Sequence, residues 1–351
     1  MYREATVGVV MPAYDEEGFV GDVIREMPDY VDRIYAIDDR STDGTWEEIL
    51  EAARDDADAN GGVDATDDAP MVTDGGASAL VRRASVQDPI GRVVPIRHRE
   101  NRGAGGAIKT GYLAARADGV DATVTVDADG QMDLSQMSRL LDPIVADEAD
   151  YAKGNRLLSR EYRAAMPRFR FVGNAILSFL TKVASGYWKT MDPQNGYTAI
   201  SGDALEAIDL ENLYEYYGYC NDLLVKLNVR GMRVADVAMP AVYGDEESSI
   251  TYSEYIPKVS TMLLRNFLWR LKTKYLVLDF HPLAFFYLVG AGLAATGVLA
   301  AVVTLFATLS TIGPSVQGST TAVLLVAGVA FLLFAMLFDM AESEHLERQV
   351  H

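Results

Sequence analysis

Two stretches near the C-terminal end of the chain, residues 282–309 and 320–338, contain no charged residue. Each is long enough to cross a hydrocarbon layer about 30 Å thick, which takes roughly 20 apolar residues in a helix. Two adjacent runs of this kind are rare in soluble proteins, so the pattern predicts a pair of transmembrane helices. The connection between them, residues 310–319, is also uncharged, whereas Lys258, Arg265, Arg270, Lys272 and Lys274 lie just ahead of the first run. Cations concentrated there mark that side as cytoplasmic. The expectation is a two-span hairpin in the cell membrane, with the rest of the chain and both termini inside and residues 340–351 as a cytoplasmic tail.

The part ahead of the hairpin reads as α/β. Between residues 6 and 152, short β-rich runs (6–10, 33–37, 92–96 and 123–126) alternate with helical patterns at 46–53 and 104–116. Such alternation predicts a mostly parallel sheet with crossover helices on its faces, and functional groups gathered at the strand ends. Residues 153–243 become more helical, with long helices expected at 169–184 and 219–229 and a strand at 233–237. Residues 252–280 mix Leu, Phe and Trp with the five cations, which suits a helix lying at a membrane interface; a buried amphipathic helix is the plainer alternative. The predicted organisation is therefore a Rossmann-like domain over 1–245, juxtamembrane amphipathic helices over 246–281 and the hairpin over 282–339. The stretch 55–76 is rich in Asp and Gly and lacks Lys and Arg, so it is expected to be a surface insertion.

Charge narrows the partners. Asp and Glu number 50 against 31 Lys and Arg, a net charge of −19, which excludes a nucleic-acid partner because that would need a basic footprint. The abundance of Asp, and of Arg over Lys, suits a halophilic protein in a high-salt cytoplasm where charge repulsion is screened. A single cysteine, Cys220, excludes an internal disulfide, and the four histidines show no zinc-site spacing. The N-terminus runs straight into a strand pattern with no basic and apolar leader.

The chemistry gathers where the strands end. After 123–126 come Asp127-Ala128-Asp129-Gly130-Gln131, which place two carboxylates on one side of a strand end. A hard cation held there by oxygen ligands can grip a nucleotide diphosphate. Asp56-Ala57-Asp58 repeats the same triplet without a preceding buried-strand pattern, so context and not the triplet carries the reading. The first strand runs out into Pro12-Ala13-Tyr14-Asp15-Glu16, an aromatic ring and acids on which a nucleobase could stack. The second ends in Asp38-Asp39-Arg40-Ser41-Thr42-Asp43-Gly44, carboxylates able to accept hydrogen bonds from a ribose or base edge; Ser41 and Asp43 read equally well as helix caps. The third leads to a glycine-rich turn at Gly103, Gly105 and Gly106 that feeds a helix N-terminus, a place favourable to anions. It lacks the third glycine of the dinucleotide fingerprint, which argues against a dehydrogenase.

Taken in order, Pro12 to Glu16, Asp38 to Thr45, Asn101-Arg102-Gly103-Ala104-Gly105 and Asp127 to Gln131 resemble the motifs of the family 2 glycosyltransferases of the GT-A fold. Gly154-Asn155-Arg156, Arg170 with Asn174, Asp192-Pro193-Gln194-Asn195-Gly196-Tyr197 and the closing hairpin are similar to the polyprenyl-phosphate group, which includes dolichol-phosphate mannose synthases and polyprenyl-phosphate glucosyltransferases. The resemblance implies that Pro12, Tyr14, Glu16 and Asp39 contact the nucleotide, with Asp38 and Gly103 beside them. It implies that Asp127, Asp129 and Gln131 surround Mg²⁺ or Mn²⁺, that Arg156 and Arg170 meet phosphate, and that Asn174 assists at the acceptor. Asp192 and Asp222 would orient sugar hydroxyls or acceptor, or serve only as caps and surface carboxylates. The expected reaction is inverting transfer of a hexose from a nucleoside-diphosphate sugar, of the GDP-mannose or UDP-glucose class, to dolichyl or polyprenyl phosphate at the cytoplasmic face. Assembly as a homo-oligomer is left open. A membrane-bound polysaccharide synthase would need a Gln-x-x-Arg-Trp signature and more spans, and a non-catalytic membrane scaffold would be expected to have lost some of these motifs.

The chain departs from the family pattern at four places: Asp15 stands for a frequent Asn, Arg40 for Gly, Asn195 for Ser and Ser249 for Lys. The last removes an acceptor cation amid Asp245, Glu246 and Glu247, so Arg156, Arg170 and Lys258 are expected to supply the charge partners of the lipid phosphate.

Overall fold

The computed structural model describes residues 1–59, 76–158, 168–216, 218–239, 252–309 and 317–350. A nine-stranded sheet runs in the order β3-β4-β2-β1-β5-β7-β6-β8-β9. Its centre is the predicted parallel set: β1 (Val7–Ala13), β2 (Arg33–Asp38), β4 (Val93–His98) and β5 (Ala122–Thr125). These strands are buried on both faces, so they read as continuous apolar runs and not as alternation. Val7, Val9 and Met11 of β1 face a core built with α1 (Val20–Arg25), α2 (Thr45–Ala59) and, further along, α5 (Met137–Val145). Val10, with Tyr35 and Ile37 of β2, faces the other core, which includes α3 (Gly76–Arg83), α4 (Ala104–Asp118), α7 (Gly202–Ala207) and α8 (Tyr219–Val229). The two-residue period of a strand makes this division.

Four strands carry no clear signal in the sequence. β3 (Ala84–Val86) and β7 (Thr198–Ser201) are short and antiparallel, so the sheet is mixed at those two places. β6 (Tyr151–Asn155) lies in the middle of the sheet although it contains Lys153 and Asn155, polar residues that hide its strand character. Both are buried and both pair with Asp236 on neighbouring β8 (Val234–Ala238); Lys153 Nζ lies 3.0 Å from the carboxylate. Removing one member of such a buried set would leave an uncompensated charge or an orphaned polar group.

β9 (Glu347–Val350) is the largest departure from expectation. The last apolar helix ends at Ser343, and residues 347–350 add a parallel strand to β8 where a tail was expected. The acidic stretch is also narrower than expected. Residues 55–59 finish α2, where Asp56 is buried in a two-pronged ion pair with Arg92 (2.7 and 3.0 Å) and Asp55 meets Arg25. Gly76 already opens α3, and residues 60–75 of the expected insertion lie outside the described residues.

Toward the C-terminus, α6 (Arg168–Ser185) and α9 (Tyr252–Lys272) pack together, and α9 passes through one π-helical stretch, Thr273–Leu278, into α10 (Leu283–Leu309). α11 (Gln317–Ser343) packs antiparallel beside α10. Both helices are candidate membrane spans, with only 11% of the apolar window of each buried; side chains such as Leu299, Phe306, Val323 and Val326 point outward. Such a surface calls for an apolar solvent. α9 buries Val259, Met262 and Leu263 against α8 while Leu264, Leu268 and Trp269 stay exposed. Two of the cations expected at the interface point inward. Arg270 forms a fully buried fork with Asp339 of α11 (2.8 and 2.7 Å) and donates to the Ala184 and Val183 carbonyls of α6. Lys274 donates to Asn228, and burial, with the Arg270 charge second, lowers it to about 8.

Candidate active site

The loops beyond the parallel strands meet along one edge of the sheet, as an open α/β sheet requires. The β1 and β2 loops are laced together: Asp15 Oδ1 accepts from the Thr42 amide at 2.7 Å, Ser41 Oγ accepts from the Asp15 amide at 3.1 Å, and Thr45 Oγ1 from the Glu16 amide at 2.8 Å. Asp15 and Arg40 both sit in the left-handed region, at φ 56° and 67°. That region costs a residue with a Cβ roughly 1–2 kcal/mol, and Gly, Asn and Asp are the types that enter it most readily. Tyr14 stands out from the loop, 46% exposed, and Pro12 lies next to the end of β1 opposite Ile37.

Asp38 and Asp39 are both buried, with different partners. Asp38 accepts from the Ser41 amide at 2.8 Å and pairs with Arg97 at 2.8 Å, which makes it a fastener of the turn. Asp39 Oδ1 accepts from the Arg102 amide at 2.8 Å and lies 2.6 Å from His98 Nδ1, while His98 Nε2 lies 2.7 Å from Thr110 Oγ1. One carboxylate thus ties the second strand end to the glycine-rich turn. Reading the sequence missed His98, since a lone histidine at the end of a strand carries no motif.

Gly103, at φ 75°, starts α4. The next glycine has a task apart from phosphate: a side chain on Gly105 would meet the Glu215 backbone at 2.8 Å, and the Gly106 amide donates to the Glu215 carbonyl. Glu215 is bound by Arg83 (2.6 Å) and Lys109 (2.8 Å). Burial pushes its carboxyl up, but these two cations outweigh it and hold it at about 2. Nothing in the local sequence marks this cluster, whose members come from three distant segments.

At the end of β5, Asp127 and Asp129 face a cleft of about 190 Å³ that Gln131, Arg156, Asn195 and Tyr197 also line. Asp129 Oδ1 accepts from the Gln131 amide at 2.9 Å. Burial, with the Asp129 charge second, pushes Asp127 up to about 7. Gly196 lies on the opposite wall, where a Cβ would make ordinary contact with Asp127 Oδ2 at 3.4 Å. Among the described residues no group of three or more His, Cys, Asp and Glu side chains forms a metal site. The donor set still suits a hard divalent cation: two mutually repelling carboxylates and an amide oxygen line one cleft.

Arg156 enters the cleft from the end of β6. Its fork is held by Asp192 at 2.7 and 2.9 Å, and the Arg156 amide also donates to that carboxylate. Asp192 is buried at φ 50°; burial works against its charge, yet Arg156 and then Lys153 hold its carboxyl below the usual range. Its place in the structure is that of Arg156's partner. Arg170 and Asn174 lie in the first two turns of α6, and their side chains fall outside the described residues, as do Ser249 and Asp245 to Glu247. Asp222 is buried away from the cleft, accepting from the Tyr214 amide and from Asn266 and pairing with Lys226, so it joins α8 to α9. Lys258 lies on α9 beside a groove of about 800 Å³ that Lys226, Arg265 and Trp269 also line.

The chain has recognisable relatives among known proteins. The sequence profile of glycosyl transferase family 2 matches residues 70–209. The chain is 28% identical over 236 residues to the UDP-N-acetylglucosamine–dolichyl-phosphate N-acetylglucosaminyltransferase of Methanococcus voltae, covering 67% of this chain and 85% of that one. It is 30% identical over 193 residues to the polyprenol monophosphomannose synthase of Mycolicibacterium smegmatis, covering 52% and 68%. Among solved structures, glucosyl-3-phosphoglycerate synthase from Mycobacterium tuberculosis aligns over 76% of this chain and 80% of that chain, with a TM-score of 0.49 and 17% identity.

Proposed function

The chain belongs to glycosyl transferase family 2, and from that premise we propose that it moves a hexose from a nucleoside-diphosphate sugar, of the GDP-mannose or UDP-glucose class, onto dolichyl or polyprenyl phosphate, with inversion. The observation that carries this reading is the cleft in which Asp127, Asp129 and Gln131 face Arg156. Two carboxylates there suit the cation of a diphosphate, and the Arg156 charge, oriented by Asp192 on its Nε and Nη2 side, suits phosphate oxygens. The relatives named for dolichyl-phosphate and polyprenol chemistry lend the acceptor class.

Each group then has a task. Tyr14 stacks the base, Asp39 accepts from the ribose or base edge, and the Gly103 turn admits the diphosphate. Asp127, Asp129 and Gln131 would hold Mg²⁺ or Mn²⁺, which supplies neutralisation of the departing nucleoside diphosphate. The acceptor needs no strong general base, because a phosphate monoester with a second pKa near 6 is largely a dianion at neutral pH. Its oxygen attacks the anomeric carbon from the side opposite the leaving diphosphate, and that single displacement inverts the centre. Arg156 and Arg170 orient the incoming phosphate, while Asp192 keeps the Arg156 fork from turning away. Outward-facing Ile176 and Phe179 of α6 and Leu264 and Leu268 of α9 continue the apolar surface of the two spans toward the domain, a path for the lipid tail. The enzyme would then sit in the cell membrane with its catalytic domain and both ends of the chain in the cytoplasm.

The test is to incubate membranes holding the full chain with polyprenyl phosphate, Mn²⁺ and labelled GDP-mannose, UDP-glucose or UDP-N-acetylglucosamine in turn. One donor should yield an acid-labile glycolipid, and chelator or an Asp127→Ala, Asp129→Ala pair should abolish it. Glycolipid that persists without metal or carboxylates, or a lipid-independent polymer in its place, refutes the reading. Unchanged acceptor affinity in Arg170→Ala removes Arg170 from the acceptor site.

A further inference from the structure

The chain leaves the sheet at Ala238 and returns at Glu347, after both apolar helices, with Val234 opposite Glu347 in the parallel ladder. The Glu347 carboxylate accepts from three successive backbone amides: Trp188 at 2.7 Å, Lys189 at 2.6 Å and Thr190 at 2.9 Å. Consecutive N–H groups converging on one anion form a nest, and hydrogen bonds to a charged acceptor are about twice as strong as neutral ones. The contact is reinforced on both sides, by Lys189 with Glu344 at 3.1 Å and by Gln349 donating to the Lys189 carbonyl.

Immediately C-terminal to these amides, residues 191–197 build the wall of the cleft. The Met191 amide donates to Asp236, the Met191 carbonyl accepts from Lys153, Asp192 holds Arg156, and Asn195 and Gly196 line the cleft itself. The near end of the same loop is gripped by a residue only four positions beyond α11. That helix is itself pinned to the domain through Asp339 and Arg270.

We propose that Glu347 is a positioning residue for the acceptor side of the site: by holding residues 188–190, the strand beyond the second span fixes the loop that orients Arg156. The inference rests on the reading of Arg156 as a ligand of the acceptor phosphate. Lys182 also holds the Trp188 carbonyl, at 2.6 Å, so loss of the Glu347 carboxylate loosens the loop without releasing it.

The experiment uses the full chain in detergent or nanodiscs, comparing wild type with Glu347→Ala and Glu347→Gln. The expected result is a rise of about tenfold in KM for polyprenyl phosphate in the alanine variant, and a smaller rise in the glutamine variant, which keeps one acceptor oxygen. Nucleoside-diphosphate affinity should stay near wild type, since the β1 and β2 loops do not touch Glu347, while the thermal midpoint falls in the alanine variant because three amides lose their acceptor. Equal losses toward both substrates would reduce Glu347 to a structural role and overturn the proposal, as would unchanged kinetics. Hydrogen exchange at the Trp188 to Thr190 amides separates this inference from the proposed reaction. Protection should fall in the alanine variant whichever sugar is transferred, and unchanged protection overturns the inference even if the glycolipid forms. A wild-type chain that makes no glycolipid sinks the reaction instead.

Discussion

Replacing Asp339 by Asn tests how the apolar hairpin is fastened to the catalytic domain. Arg270 and Asp339 are both 0% exposed, the guanidinium donates two hydrogen bonds of 2.8 and 2.7 Å to the carboxylate, and Tyr275 adds a third at 2.7 Å. Asparagine keeps the volume but leaves the guanidinium with no counter-charge, and breaking one side of a buried pair costs about 3–5 kcal/mol. For a domain of this size that lowers Tm by roughly 6–20 °C, at about 2–4 °C per kcal/mol. The remaining donors of Arg270 go to the Ala184 and Val183 carbonyls, so the guanidinium stays in place and cannot escape to water. The paired substitution Arg270→Met with Asp339→Leu removes both charges and should cost far less than the sum of the single changes, because apolar replacement of a buried pair is often neutral. Thermal unfolding of wild type, Arg270→Met, Asp339→Leu and the pair in one detergent gives the coupling energy as a double-mutant cycle, with Asp339→Asn measured beside them. Additive losses, or a single-variant loss below about 1 kcal/mol, would refute the reasoning by placing water at a pair that burial keeps dry.

Arg40→Gly should stabilise the protein by about 0.5–1 kcal/mol, since a left-handed residue with a Cβ costs roughly 1–2 kcal/mol and the added unfolded-state freedom of glycine offsets part of the gain; denaturant unfolding reads it, and destabilisation would count against strain at φ 67°. His98→Ala should raise KM for the nucleotide sugar about tenfold while leaving KM for the lipid phosphate unchanged, because Asp39 loses a charge-assisted partner. Glu215→Gln should destabilise at pH 7, and its difference from wild type should shrink with acid. The Glu215 carboxyl is lowered from 4.5 to about 2, so its contribution is full above 4.5 and disappears as pH falls through 2; a difference that grows in acid contradicts the sign.

The central strands were legible in the sequence because helices cover both faces and leave mostly apolar and β-branched residues between the strand ends. Asp127 and Asp129 were legible for the same reason: they are the first charges after an apolar run. β6 was not, because Lys153 and Asn155 break the pattern and their partner, Asp236, lies far along the chain. Arg270 looked like an interfacial cation because its spacing on an amphipathic helix is the same whether it meets lipid or a buried carboxylate on a helix not yet reached. Glu347 could not be found at all, since three backbone amides leave no trace in side-chain identity. The glycines of the Gly103 turn were read toward phosphate, and the structure adds the Glu215 backbone as a neighbour that Gly105 must also admit.

The return of the chain as β9 sets an order of events during synthesis. Until both apolar helices have left the ribosome, β8 has no neighbour on its outer side, and its Val-Ala-Asp-Val-Ala backbone offers unpaired donors and acceptors to any other strand nearby. A catalytic domain severed ahead of residue 282 would keep that sticky margin permanently. Anyone seeking a soluble version of this enzyme should therefore carry residues 344–350 over to it, joined after β8 by a designed crossover in place of the hairpin.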